Sequence, residues 1–408
     1  MTTPARLAYG AATAALHPLA PVLLRSRARA GKEDRARLPE RLGRASLPRP
    51  PGRLAWLHGA SVGESLSLLP LIARLQDARP DLTLLATSGT VTAAALLAQR
   101  LPTGVLHQYI PLDTPFAAAR FVQHWRPDLA VFAESDLWPN LLLRARAGGA
   151  RLALISARLS KASLRGWGRS PGFARRLLSA FDLVLPQDDA TAAALQRLGA
   201  RDDGRLNLKL VGDPLPADAR TLAQARAAAA GRAVFVAAST HPGEDAAALD
   251  AAPARSLLVI VPRHPSRGPE ILALAEARGR AAGLRSRGAA FGAHPVHIAD
   301  TLGELGLWFR LADAALVGGS LVPDVGGHNP LEPARLGAPF ASGPHVRNWP
   351  IYDDLIAAGA VTIAPDAEAL GAFWRSPPAG QAERARAFAR AQHGRLDMAL
   401  DRLLALLP

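Results

Sequence analysis

From Arg53 onward, short apolar runs alternate with stretches whose apolar positions recur at helical spacing, the pattern of a parallel sheet wrapped by helices. Residues 54–58, 82–87, 105–110, 129–133, 152–156 and 183–185 read as buried strands, because runs this apolar leave no face for water. After Gly199 the chain turns polar and irregular, passes 207–212, and enters an Ala-rich stretch near 217–230 that reads as a helix. A second series follows at 233–238, 257–261, 295–298, 314–317, 339–341 and 361–363. The expectation is an α/β protein of two Rossmann-like domains facing a central cleft, with ligands held at the carboxyl ends of the strands. The boundaries predicted are an N-terminal membrane-associated segment at 1–35, a first domain at 36–205, a linker at 206–230, a second domain at 231–380, and a helix at 381–408 packing back across both.

The N-terminal pattern differs. Residues 7–24 are almost uncharged and are followed at once by Arg25, Arg27, Arg29 and Lys32, the cationic flank found on the cytoplasmic side of membrane segments. Its length of roughly 18 residues is short for a span, and His17, Pro18 and Pro21 also oppose one. The reading is a shallow membrane-docked helix or a marginal anchor, with a soluble amphipathic helix and a cleaved signal as alternatives. The Arg-rich flank runs straight into the folded domain without a small-residue cleavage site.

Composition narrows the chemistry. A chain of 408 residues is long enough for two cores. It has no cysteine, which excludes disulfides, thiolate metal sites and thiol catalysis. The formal charge of +14 is almost wholly arginine, lysine standing only at Lys32, Lys161 and Lys209. Such a balance suits nucleic acid, an acidic membrane surface or a phosphorylated substrate, although GC-rich coding also enriches arginine. Aromatic residues at 5% argue against the stacking platforms of single-strand binders.

Candidate chemistry sits where strands end. In Trp56-Leu-His-Gly-Ala-Ser-Val-Gly-Glu64-Ser65 a strand turns into a helix, with Gly59, Ser61 and Gly63 permitting the turn. Glu64 reads either as a carboxylate suiting the helix dipole or as a general base for a sugar hydroxyl. Glu134, opening Glu134-Ser-Asp-Leu-Trp-Pro-Asn140, is a second carboxylate at a strand end, with Ser135 or Asp136 as a helix cap. Ser88-Gly89-Thr90 and Ser156-Ala-Arg158-Leu-Ser160-Lys161 suit phosphate or carboxylate recognition, or ordinary caps and solvated charges. In the second series, Ser239-Thr240-His241-Pro-Gly-Glu244-Asp245 offers hydroxyl and N–H donors to a phosphate. Arg263, in Pro262-Arg263-His264-Pro-Ser-Arg267, could grip a phosphate by a forked contact. Gly318-Gly-Ser-Leu321 and Gly326-Gly-His-Asn329-Pro330-Leu331-Glu332-Pro333 form a glycine-rich bend entering a helix, where Glu332 could accept both hydroxyls of a ribose.

Taken in order, HGASVGES, ATSGT, PLDTP, ESDLWPN, SARLS, NLK, ASTHPGED, PRHPSR, GELG, VGGSL and GGHNPLEP resemble the Kdo transferases, the 3-deoxy-D-manno-octulosonic acid transferases of lipopolysaccharide synthesis. The match runs from about Arg41 to Trp349, and SARLS stands where the family more usually has NARLS. The resemblance implies a GT-B fold, in which the first domain takes the acceptor and the second the CMP-sugar. It implies CMP-Kdo as donor and inverting transfer to the anionic lipid A precursor at the cytoplasmic face of the bacterial inner membrane. No cofactor, metal or nucleic acid is implied. By the same resemblance Glu64 is the general base and Glu134 the second catalytic carboxylate. Pro262 and Arg263, Leu302, Gly303 and Glu304, and Asn329, Pro330, Leu331 and Glu332 contact CMP, with Ser239, Thr240 and Lys209 as further donors. The competing readings are a soluble GT-B-fold sugar-nucleotide epimerase, which needs no lipid acceptor, and a non-catalytic basic membrane- or nucleic-acid-binding protein, which would need neither Glu64 nor Glu134.

Overall fold

The computed structural model describes residues 3–134 and 137–407, with the side chain of Lys161 excepted. The chain divides into two compact units, the first running through Gly212 and resuming at Gln392, the second spanning Asp213–Ala391. The division falls inside the stretch expected as a linker. Its helix, Ala219–Ala229, belongs to the second unit, and the C-terminal helix Gln381–Leu406 is shared by the two.

The first unit holds β1 (Leu54–Gly59), β2 (Thr83–Ser88), β3 (Leu106–Tyr109), β4 (Leu129–Ala133), β5 (Arg151–Ala157) and β6 (Leu183–Pro186), all parallel in the order β3-β2-β1-β4-β5-β6. Both faces are covered. Alternate residues Ala55 and Leu57 face a core with Leu71, Leu75, Leu396 and Leu403, while Leu54 and Trp56 face one with Phe121, Trp125 and Leu141. The two-residue period of a strand sends neighbours to opposite cores, which is why these runs lack a polar side. β1 lies between β2 and β4, where the strand order reverses. Open parallel sheets place ligands beyond the strand ends at such a point, and Glu64 and Glu134 follow β1 and β4.

The second unit holds β7 (Val234–Thr240), β8 (Leu257–Pro262), β9 (Ala282–Leu284), β10 (Val296–Ile298), β11 (Ala314–Val317), β12 (Phe340–Ser342) and β13 (Thr362–Ile363), parallel in the order β13-β12-β11-β7-β8-β10-β9. Its reversal lies between β7 and β11. β9 was not expected: three residues, Ala-Gly-Leu, carry no periodic signal. The packing there is nonetheless tight, since a Cβ on Gly283 would lie 2.7 Å from that of Ala289.

At the N-terminus, helix Pro4–Leu16 and helix Ala20–Arg29 are joined by a single tight turn, His17–Leu19, with the prolines in the first turns they tolerate. The polar stripe of this segment faces protein. Tyr9 donates to Asp113 (2.8 Å), Asn140 donates to Thr13 (3.1 Å), and His17 shares a hydrogen bond with Thr114 (2.8 Å). The apolar residues Leu7, Leu16, Leu19, Val22 and Leu23 are 55–65% exposed, and Phe116, against the His17 ring, joins them. The amphipathic helix is thus inverted relative to an ordinary surface helix.

Candidate active site

Glu64 stands in the first turn of helix Val62–Ser67, capped by Ser61. The Ser61 hydroxyl donates to Glu64 Oε1 (3.0 Å), the Ala60 N–H donates to Oε2 (2.8 Å), and the Glu64 N–H returns to Ser61 Oγ (3.3 Å). These reciprocal bonds, close to a capping box but with the carboxylate reaching the N–H before the N-cap, fix it in place. The turn before it is tight enough to require glycine, since a Cβ at Gly59 would come 2.8 Å from the Ser65 nitrogen. Gly89 props the same loop: its N–H donates to Ala60 O, and a Cβ there would collide with that oxygen at 2.9 Å. The rest of the SGT string is structural, Ser88 being bonded to His107 (2.9 Å) and Thr90 capping helix Val91–Arg100.

Glu134 follows β4 directly in the left-handed region, at φ +59°, and is buried. Its Oε1 meets Lys209 Nζ at 2.7 Å. Ser156, at the end of β5, is also left-handed (φ +50°) and fully buried, and its hydroxyl accepts the Leu208 N–H (3.2 Å) and the Gln187 amide (3.2 Å). Asn207 then caps Lys209 through the N–H of the latter (3.1 Å). So Glu134, Ser156 and the NLK string converge on one ion pair, and two of these residues hold a backbone conformation costly for most residues but glycine. Ser135 and Asp136 lie outside the described residues. Arg158 is exposed, and Ser160 caps helix Lys161–Gly168.

The PLDTP and WPN strings are a clasp. Asp113 accepts the N–H groups of Asn140 (3.0 Å) and Leu141 (2.8 Å) at the start of helix Pro139–Ala147, besides the Tyr9 hydroxyl. Burial pushes the Asp113 carboxyl upward against those three donors.

In the second unit the residues expected to meet the donor divide. Ser239, the penultimate residue of β7, is likewise left-handed, at φ +58°. Thr240, expected to serve the ligand, is fully buried and donates its hydroxyl to Asp245 (2.6 Å), which pairs with Arg267. Glu304, too, is engaged within the protein. Burial opposes its ionisation, but the forked Arg285 guanidinium and the Thr301 hydroxyl outweigh burial and hold the carboxyl below its usual range. Leu302 is 82% exposed and Gly303 takes φ +86°. Pro262 is buried and Arg263 exposed at the end of β8. Pro330 and Leu331 are buried, so in the NPLE string they serve the core, while Asn329 accepts the Leu331 N–H (3.0 Å). Glu332 opens helix Leu331–Leu336; burial raises its carboxyl, with Arg335, Asn329 and Arg263 opposing.

A family model described as 3-deoxy-D-manno-octulosonic-acid transferase (kdotransferase) matches residues 36–212. The 3-deoxy-D-manno-octulosonic acid transferase of Bordetella pertussis is 36% identical over 427 aligned positions, covering 97% of this chain and 98% of that one. This chain belongs to the Kdo transferases. It is a Kdo-transferring glycosyltransferase. Among solved structures, the C-terminal CMP-Kdo binding domain of WaaA from Acinetobacter baumannii is 33% identical, covering 43% of this chain and 96% of that one with a TM-score of 0.38. The UDP-GlcNAc 2-epimerase of Neisseria meningitidis covers 87% of this chain and all of its own at 13% identity and a TM-score of 0.57, a likeness of the two-domain fold alone.

Three features of the transferase were not singled out from its sequence. Glu244 is fully buried, and its carboxylate accepts the N–H groups of His241 (2.9 Å), Gly319 (2.6 Å), Ser320 (2.9 Å) and Leu321 (2.9 Å), so the GGSL turn wraps a protein carboxylate. Arg285, the partner of Glu304, lies in none of the recognised strings. The third is a contact between His241 and His328. Only Glu244 carried a local signal, a carboxylate in a helix's first turn, and that signal reads equally as a dipole effect.

Proposed function

We propose that this transferase moves Kdo from CMP-Kdo to the anionic lipid A precursor, with inversion and without a metal, at the cytoplasmic face of the bacterial inner membrane. The observation that carries the reading is the Glu134–Lys209 pair, held by two left-handed residues in the same unit as the fixed carboxylate of Glu64. Backbone strain of this kind persists where the surroundings enforce it, and it clusters at functional sites. Glu64 takes the proton of the acceptor hydroxyl as that oxygen attacks the anomeric carbon. Glu134 and Lys209 supply a fixed charge pair beside the developing transition state. In the second unit Arg263 grips the donor phosphate and Glu332 the ribose hydroxyls. The outward apolar stripe of the N-terminal helices, followed by Arg25, Arg27 and Arg29, supports docking on an anionic bilayer, since the polar stripe is already bonded to protein.

The test is product mass spectrometry after incubation with CMP-Kdo and the tetraacyl lipid A precursor in excess EDTA. A product heavier by one or more Kdo units is expected. Release of CMP without a glycosylated lipid would contradict the acceptor, and activity abolished by EDTA and restored by magnesium would contradict the metal-free reaction. Sedimentation with anionic vesicles at low salt, lost on deleting residues 3–30, tests the docking.

A further inference from the structure

In the second unit two imidazoles with no role above face each other. Nε2 of His241, the residue after β7, lies 2.9 Å from Nε2 of His328, with ring centres 5.1 Å apart and planes 18° from parallel. A hydrogen bond between them needs a proton on one nitrogen and a lone pair on the other, so the contact survives only while at least one ring is neutral. Their surroundings are cationic. Arg263 and His264 act on both rings and Arg267 on His241, while among the described residues the anion acting on the pair is Glu244, on His241. That carboxylate already accepts four backbone N–H groups. Burial lowers both rings most; Glu244 pulls His241 back up without reversing the fall, and the arginines add to that fall, His328 going to about 4. Exposed Arg263, two imidazoles able to gain an N–H and a Glu244 already committed to the backbone describe a place prepared for an anionic ligand, with Glu332, which also acts on Arg263, given to the ribose in the reading above.

We propose that the His241–His328 pair is the charge-compensating subsite for the donor phosphate, taking up a proton when the phosphate binds and as its charge grows during transfer. The inference rests on the nucleotide reading above and adds two residues to it. In the donor the phosphate is a diester with one negative charge. When the bond from the anomeric carbon to the phosphate oxygen breaks, its electron pair stays on that oxygen, and CMP departs with a second charge. The acceptor oxygen meanwhile bonds to the anomeric carbon and yields its proton to Glu64. The second charge on the phosphate needs a cation nearby, and a pair that is neutral when empty supplies one by drawing a proton from water. Because the pair acts on the phosphate alone, these are binding and positioning residues for the leaving group.

The full-length protein is titrated with CMP by calorimetry at pH 7.5, in two buffers of different ionisation enthalpy, then across pH 7–8.5, above the second ionisation of the CMP phosphate at about pH 6. Uptake of about one proton per CMP is expected, with affinity rising up to about tenfold for each unit the pH falls. The methyl ester of CMP, which keeps one charge, should draw clearly less. H328N and H241N should each still bind CMP but lose the buffer dependence. Loss of CMP binding by the unsubstituted protein would overturn the nucleotide reading beneath the proposal. CMP binding with an enthalpy independent of buffer, or variants that keep the full proton uptake, would overturn the proposal and leave that reading standing. Should a variant fold poorly, histidine NMR of the unsubstituted protein decides: the pair's titration must move upward when CMP is added, and an unmoved titration rejects the subsite.

Discussion

The two units share a parallel-sheet plan but treat their charged residues at the strand ends differently. In the first, Glu134 is buried against a lysine, and Glu64 is fixed by its own helix start. In the second, three carboxylates are consumed internally: Glu244 by a backbone turn, Asp245 by Arg267, and Glu304 by Arg285. Arg263 remains exposed there. A carboxylate fixed at a strand end is what a general base requires, whereas a cation left exposed suits holding an anion. On the reading proposed above, one fold would serve chemistry in one copy and binding in the other, distinguished by the residues after the strands.

Variants can break this comparison. The largest effect is expected from Lys209→Met, which strips Glu134 of its partner. Turnover should fall by about 100- to 1,000-fold, as for other fixed charges beside a transition state, with CMP affinity unchanged by calorimetry. A fall in CMP affinity instead would place Lys209 with the donor. Glu244→Ala leaves four backbone donors around a cavity and should cost about 3 kcal/mol of stability, read as a lower melting temperature of the second unit. A melting temperature within a degree of the parent would mean the GGSL turn finds its own acceptors. Arg263→Ala should weaken CMP by ~1.5–3 kcal/mol, the value of a hydrogen bond to a charged group, while turnover at saturating donor stays near normal. Unchanged CMP affinity would move the phosphate elsewhere.

The sheets were legible because buried parallel strands are continuous apolar runs, and such a run needs no knowledge of its partner. β9 escaped because three residues give no period. The site was legible only as far as strand ends and recognisable strings reach. Nothing local announces that Glu134 and Ser156 are left-handed, since neither is glycine, or that residues as distant in sequence as Glu134 and Lys209 meet. The contacts of Thr240 were equally hidden. A hydroxyl at a strand end reads as a ligand donor, yet here the adjoining helix carries Asp245 back to accept it. Glu304 is similar, its forked partner Arg285 lying in a segment without any signal. In each case the deciding fact is a contact between elements, which local pattern does not encode.

The most direct measurement takes initial rate, CMP affinity and melting temperature on one preparation of Glu64→Gln. Glutamine keeps the size and an acceptor oxygen for the Ala60 N–H but removes the basic carboxylate. The expected result is at least a ~100-fold loss of turnover, the lower range for a general base, with CMP affinity and melting temperature close to the parent. A turnover near normal, with a loss of only ~0.3–1 kcal/mol in stability, would mean that Glu64 merely starts its helix and that the base lies elsewhere.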